Sequence, residues 1–240
     1  MRRWVGDINT FHEAIWKQIV FDEDGRQHIF INLDDFRVFG FIDCMAHEAC
    51  TPGTGPINDN EDRRPEAYGT QRAFFTRYGK IHGLKSQIVI LPNGMICHAW
   101  IHSVAQNDRG MINLSGLEEY MRDILTDIRL GEGRMLPALF GDSIYMPSEV
   151  IIIKGDNDGI YFNKMNRLRE KIEHEFGLFQ SLWKHMTQIH TLRILRRNNR
   201  LHKRIMVYWL VTNIYTCFNG NTTSVRFNLR PPSVAEYLNM

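Results

Sequence analysis

The sequence predicts an α/β protein with a mixed sheet and helices packed on it. Three observations predict this class. Short runs rich in β-branched and aromatic residues recur along the chain. Amphipathic helical patterns alternate with the later runs. With 240 residues, 43% of them hydrophobic and 23% charged, the chain is long enough and apolar enough for one large domain or one with small appendages.

Residues 8–21 carry Ile8, Phe11, Ile15, Trp16, Ile19 and Val20 at helical spacing, and Asp22-Glu23-Asp24-Gly25 ends that helix. Residues 36–43 (FRVFGFID) read as a strand. The stretch 49–69 is rich in Pro, Gly, Asn and Asp, without apolar periodicity, and reads as a long polar loop. Two strand-like runs, 84–91 and 95–102, flank Pro92-Asn93-Gly94, a strong hairpin signal because Asn and Gly tolerate positive φ. Residues 114–130 read as an amphipathic helix ended by Gly131. Residues 137–140 form a short buried strand leading into Gly141-Asp142, and 150–154 form another. A long helix is expected over 162–186. Three consecutive strands followed by alternating helix and strand make the mixed sheet. The expected organisation is a short helical segment over 1–35, an α/β domain over 36–190, and a basic helix and tail packed on it over 191–240.

Charge is distributed unevenly. The net charge is only +2, yet residues 1–175 hold 20 basic and 26 acidic side chains, while 176–235 hold 9 basic and no acidic ones. Arg193, Arg196, Arg197, Arg200, Lys203 and Arg204 recur at spacings that share one helix face. A single-sign stripe repels itself, so it is expected to lie against a polyanion such as the DNA backbone. The alternative is a solvated face neutralised by acids from elsewhere in the fold.

Three acids stand in apolar company. Asp43 and Asp142 end apolar strands, and Glu173 lies on the long helix beside Ile172, near its expected buried side. A carboxylate at a buried strand end loses solvation unless a cation or metal compensates. Two aspartates at adjacent strand ends plus a helix glutamate make an all-oxygen site suited to Mg²⁺ or Mn²⁺. The alternative is three unrelated acids satisfied by arginines or amides.

At these residues the sequence resembles the DDE-superfamily nuclease domain of PIF/Harbinger-type transposases. The resemblance runs through Gly40-Phe41-Ile42-Asp43-Cys44, Cys50-Thr51-Pro52-Gly53-Thr54-Gly55-Pro56 and Gln71-Arg72-Ala73-Phe74-Phe75. It continues through His82-Gly83-Leu84-Lys85, Leu91-Pro92-Asn93-Gly94, Asn107-Asp108, Gly141-Asp142-Ser143-Ile144-Tyr145, and Arg169 with Glu173 and Phe176-Gly177. Cys217-Phe218-Asn219-Gly220-Asn221 and the ending from Pro231-Pro232 to Tyr237-Leu238 complete it.

The resemblance implies a ribonuclease-H-like fold over 36–190 and metal-dependent DNA strand cleavage and transfer in the nucleus. It makes Asp43, Asp142 and Glu173 the catalytic acids. Asp43 then bridges two Mg²⁺ or Mn²⁺ ions, Asp142 and Glu173 each hold one, and Asp108 is a reserve ligand. It also implies DNA as partner, a separate Myb-like DNA-recognition protein, and a possible homo-oligomer. Two features depart from the family: no upstream helix-turn-helix is legible, and the Asp142–Glu173 interval is short. They leave a second expectation open, an inactive, domesticated or truncated module that binds DNA or protein.

Remaining signals are weaker. Cys44-x-x-His47-x-x-Cys50 has zinc-like ligands but no evident fourth, and plain loop residues are the alternative. His98 and His102 share a strand face without a third ligand. Lys80, His82 and Lys85 are expected as solvated loop charges. Trp183, Tyr208 and Trp209 are expected to fill core. Four cysteines without paired spacing read as reduced thiols of an intracellular protein, and neither a secretory signal nor a bilayer-spanning run is legible.

Overall fold

The computed structural model describes residues 4, 7–52, 71–128, 130, 135–153, 159–194 and 200–239; the side chains of Lys171, Ile172 and Thr191 are left aside. Helix α1 (Ile8–Val20) forms where the apolar spacing places it, and buries Ile8, Phe11, Ile15, Ile19 and Val20. His12 on the same face donates from Nε2 to the Phe36 carbonyl at 2.6 Å, tying the helix to the first strand.

Strand β1 (Val38–Glu48) runs five residues beyond its expected end, so Asp43 lies within the strand. The cause is pairing: β1 is antiparallel to β3 (Ile81–Ile90) continuously from Phe41↔Ile90 to Glu48↔Gly83. That ladder holds Cys44-Met45-Ala46-His47 extended although their polarity alternates weakly. The two-residue β2 (Phe75–Thr76) also pairs antiparallel with β3. β4 (Ile96–Ser103) completes the Asn93-Gly94 hairpin on the same side. β5 (Ala138–Phe140) pairs parallel with β1, and β6 (Ile151–Ile152) pairs parallel with β5. The result is a mixed sheet in the order β4-β3-β1-β5-β6, with β2 beside β3. Its class is the α/β arrangement expected.

The helix expected over 114–130 is two helices, α2 (Asp108–Ser115) and α3 (Leu117–Leu125). Asn107 Oδ1 accepts from the Gly110 amide at 2.7 Å and starts α2 six residues earlier than apolar spacing suggested. Gly116, at φ +62°, breaks the helix in a conformation that side-chain-bearing residues avoid. Helix α4 (Ile160–Leu182) gives way at Trp183 to a 3₁₀ turn over Lys184–Thr187.

The basic stripe differs from expectation. Helix α5 starts only at Leu201 and runs to Asn219. Arg193 lies in a bridge to Cys50, Arg200 caps the helix, and only Lys203 and Arg204 sit on it. Arg196 and Arg197 lie outside the described residues. Six cations on one continuous helix face are therefore not formed, because the spacing of Arg193 meets a strand bridge. Short helices α6 (Thr222–Arg226) and α7 (Val234–Asn239) follow.

Two apolar clusters sandwich the sheet. Phe41, Met45, Ile88 and Phe140 pack with Met165, Leu168 and Phe179 of α4 and Leu201, Ile205 and Trp209 of α5. Ile42, Val89, Leu139 and Ile151 pack with Ile112 of α2, Leu117, Met121 and Leu125 of α3, and the first half of α1. Trp209 stacks on Phe179 with centroids 3.9 Å apart and fills core as expected. No helix among the described residues is long and apolar enough to cross a membrane.

Candidate active site

Strand alternation builds the site. Along β1, Phe41, Asp43 and Met45 face α4, while Ile42 and Cys44 face the other layer. Asp43 therefore meets α4 from the central strand. Arg169 of α4 donates from Nη1 to Asp43 Oδ2 at 2.7 Å, with both side chains 12% exposed. Asp43 Oδ1 accepts from the Cys44 amide at 2.8 Å.

Asp142 follows β5, the parallel neighbour of β1. Gly141 makes the approach possible: a Cβ there would stand 2.7 Å from the Tyr145 ring and 3.0 Å from Ile42 Cγ2. Asp142 Oδ1 accepts from the Ser143 amide at 2.6 Å and the Ser143 hydroxyl at 3.2 Å, which fixes the carboxylate at the strand exit. Glu173 lies one turn after Arg169 on α4, with Oε1 3.9 Å from Arg169 Nη1. Its side chain is 55% exposed, so it stands at the rim rather than on the buried side where the sequence suggested it.

Asp43, Asp142 and Glu173 line one open pocket of about 440 Å³, together with Cys44, Arg169, Phe176, Gly177 and Gln180. Burial pushes the Asp43 carboxyl up to about 6, and the Arg169 guanidinium and Cys44 amide only partly offset it. Glu173 and Asp108 push the same way as burial. Three carboxylates thus share a pocket with one arginine, whose buried Nε has no partner of its own. As the side chains stand, no three His, Cys, Asp or Glu residues among those described form a ready metal cage. The donor set nevertheless suits a hard divalent cation, since all three groups offer carboxylate oxygens and Asp43 already holds a cation there.

Asp108, the reserve ligand, does not line this pocket. It opens α2 on the opposite face of the sheet and accepts from Lys85 Nζ at 2.8 Å. Lys85 is therefore a paired strand residue rather than a solvated loop charge. The Cys44, His47 and Cys50 side chains do not converge. Cys44 Sγ meets the Tyr145 hydroxyl at 3.2 Å, His47 Nε2 meets Ser86 Oγ at 2.6 Å, and Cys50 Sγ donates to the Ile189 carbonyl. Cys44 and His47, three apart on a strand, point to opposite faces, which removes the zinc reading. His102 stacks on Trp100 with centroids 5.2 Å apart, and burial lowers His98 to about 4.

The sequence did not reveal Glu175. It is buried, and it accepts from Asn221 Nδ2 at 2.9 Å and the Thr223 hydroxyl at 2.8 Å. Burial raises its carboxyl while those bonds oppose the rise. It anchors α6 to α4 and stands outside the pocket. Arg169 was legible as a motif residue but not as the counter-ion of Asp43, although its place one turn before Glu173 was a usable signal.

Compared with protein-family models, with curated proteins and with solved structures, the chain matches none of them.

Proposed function

We propose that this chain is a divalent-metal-dependent DNA endonuclease and strand transferase of transposase type, on a ribonuclease-H-like fold. One observation carries the reading: three acids from β1, the β5 exit and α4, up to 130 residues apart in sequence, line the same pocket. The sheet order supports it, with β1 central, β3 antiparallel to β1 and β4, and β5 and β6 parallel to β1.

In this reading Asp43, Asp142 and Glu173 hold two Mg²⁺ or Mn²⁺ ions. When bound, such a pair supplies activation of a water and charge neutralisation at the leaving oxygen of a phosphodiester. The chain's own residues do the rest. The Ser143 amide and hydroxyl orient Asp142. Arg169 compensates Asp43 until a metal takes its place, and its partnerless Nε leaves it free to release. Arg200, Lys203 and Arg204 at the start of α5 supply cations for the DNA backbone.

A second reading has an observation of its own. The Arg169–Asp43 pair already satisfies Asp43 without metal, which suits a DNA- or protein-binding module that no longer turns over. Nicking of supercoiled DNA in Mn²⁺ separates the two. Turnover by the native chain that disappears in Asp43→Asn, Asp142→Asn and Glu173→Gln supports the nuclease. Equal residual activity in all four proteins rejects it, and salt-sensitive binding without nicking favours the second reading.

A further inference from the structure

Helix α5 is apolar on both sides. It buries Leu201, Ile205, Trp209, Thr212, Asn213 and Thr216 against the sheet. Trp209 Nε1 donates to Ser86 Oγ at 3.0 Å, and Asn213 bonds both the amide and the carbonyl of Ile96. At about 100° per residue, Met206, Val207, Leu210, Val211, Tyr215 and Phe218 fall on the opposite arc. They are exposed, from 37% at Met206 to 73% at Phe218. A helix on a sheet ordinarily turns charge outward, as α3 does with Glu119, Arg122 and Asp123. The α5 arc instead offers roughly 500 Å² of contiguous apolar surface, the size at which a patch marks an interaction site.

We infer that this arc is a two-fold interface on which α5 packs antiparallel against α5 of a second copy of this chain. Charge selects the occupant and the direction. Arg200, Lys203 and Arg204 lie on the same arc at its N-terminal end, while the last two turns of α5 carry no charged side chain. An antiparallel pair sets each basic end against the partner's C-terminal carbonyls, where the helix dipole is negative. A parallel pair stacks six cations. The arc is self-complementary as a two-fold requires, apolar in the middle and basic at one end. Two copies bury roughly 1,000 Å², the lower bound for a specific interface, so the dimer is weak and concentration-dependent.

Sedimentation velocity on the full chain from about 1 to about 100 µM tests this. The account expects the mass to double within that range. Leu210→Glu, near the two-fold axis, should weaken association roughly tenfold or more by setting like charges together, with unchanged circular dichroism and melting temperature because the site is exposed. In a Cys217→Ser background, Val211→Cys near the axis should form an interchain disulfide on oxidation and Phe218→Cys should not. A monomer throughout, or a dimer untouched by Leu210→Glu, overturns the interface. Cross-linking through both positions overturns the antiparallel direction.

Discussion

Two buried ion pairs occupy opposite faces of the same sheet. Lys85–Asp108 is 2.8 Å long with both side chains 16% exposed; Arg169–Asp43 is 2.7 Å long with both 12% exposed. Their geometry is nearly equal and their electrostatic setting is not. Asp108 opens α2, so the helix N-terminus and Lys85 both favour its negative charge. Asp43 has one guanidinium, with Glu173 beside that guanidinium and Asp142 lining the same pocket. The first pair is complete. The second leaves acid in excess around a cation that can be exchanged, and that imbalance, not the pair itself, marks the site.

Breaking each pair in turn sharpens the contrast. The largest expected effect is on cleavage. Asp43→Asn should reduce Mn²⁺-dependent nicking on the order of 10³-fold, whereas Asp108→Asn should stay within a few-fold. Similar losses in both would erase the distinction drawn here.

Removing the cations comes next. In metal-free buffer, Arg169→Met and Lys85→Met should each lose about 3 kcal/mol of unfolding free energy in urea, because each strands a buried carboxylate. Added Mn²⁺ should restore Arg169→Met and leave Lys85→Met unchanged. Rescue of both, or of neither, contradicts the idea that Arg169 stands where a metal binds.

A smaller effect is pH-dependent. The folded Asp43 carboxyl sits at about 6, above its ordinary 3.8, so the native state holds this proton more tightly than the unfolded chain. Its contribution to stability is therefore present at low pH and lost as pH rises from about 4 to about 6, by roughly 3 kcal/mol at most. The unfolding free energy of the native chain should fall across that window relative to Asp43→Asn, while Asp108→Asn keeps the native slope. The Mn²⁺-induced rise in melting temperature should grow over the same window, since metal and proton compete for one carboxylate.

The smallest effect belongs to Glu173. It is half-exposed and 3.9 Å from Arg169, so Glu173→Gln should change metal-free stability by less than about 0.5 kcal/mol. A large metal-free loss would mean that Glu173 holds the helix rather than a ligand.

What the sequence made legible follows the range of the forces involved. Helix α1, the hairpin and β5 rest on local periodicity and turn residues, and they stand close to where these placed them. β1 beyond Asp43 depends on a partner 40 residues away, so its weak alternation hid it. The helix start at Asp108 depends on one side chain, Asn107, and the break depends on Gly116. The arginine spacing fitted a helix face by arithmetic alone, yet Arg193 pairs with Cys50 across more than 140 residues. Within the site, Asp43 and Asp142 stood out as acids after apolar strands. Glu173 needed the resemblance, and the Arg169–Asp43 contact needed the sheet and helix in place. Glu175 was invisible because its partners, Asn221 and Thr223, lie in another helix.

The most direct test is a crystal of the protein soaked in Mn²⁺ and measured at an anomalous wavelength. The account predicts anomalous density among the Asp43, Asp142 and Glu173 carboxylates, with Arg169 withdrawn from Asp43. An empty pocket at saturating Mn²⁺, with Arg169 still bonded to Asp43, would contradict it.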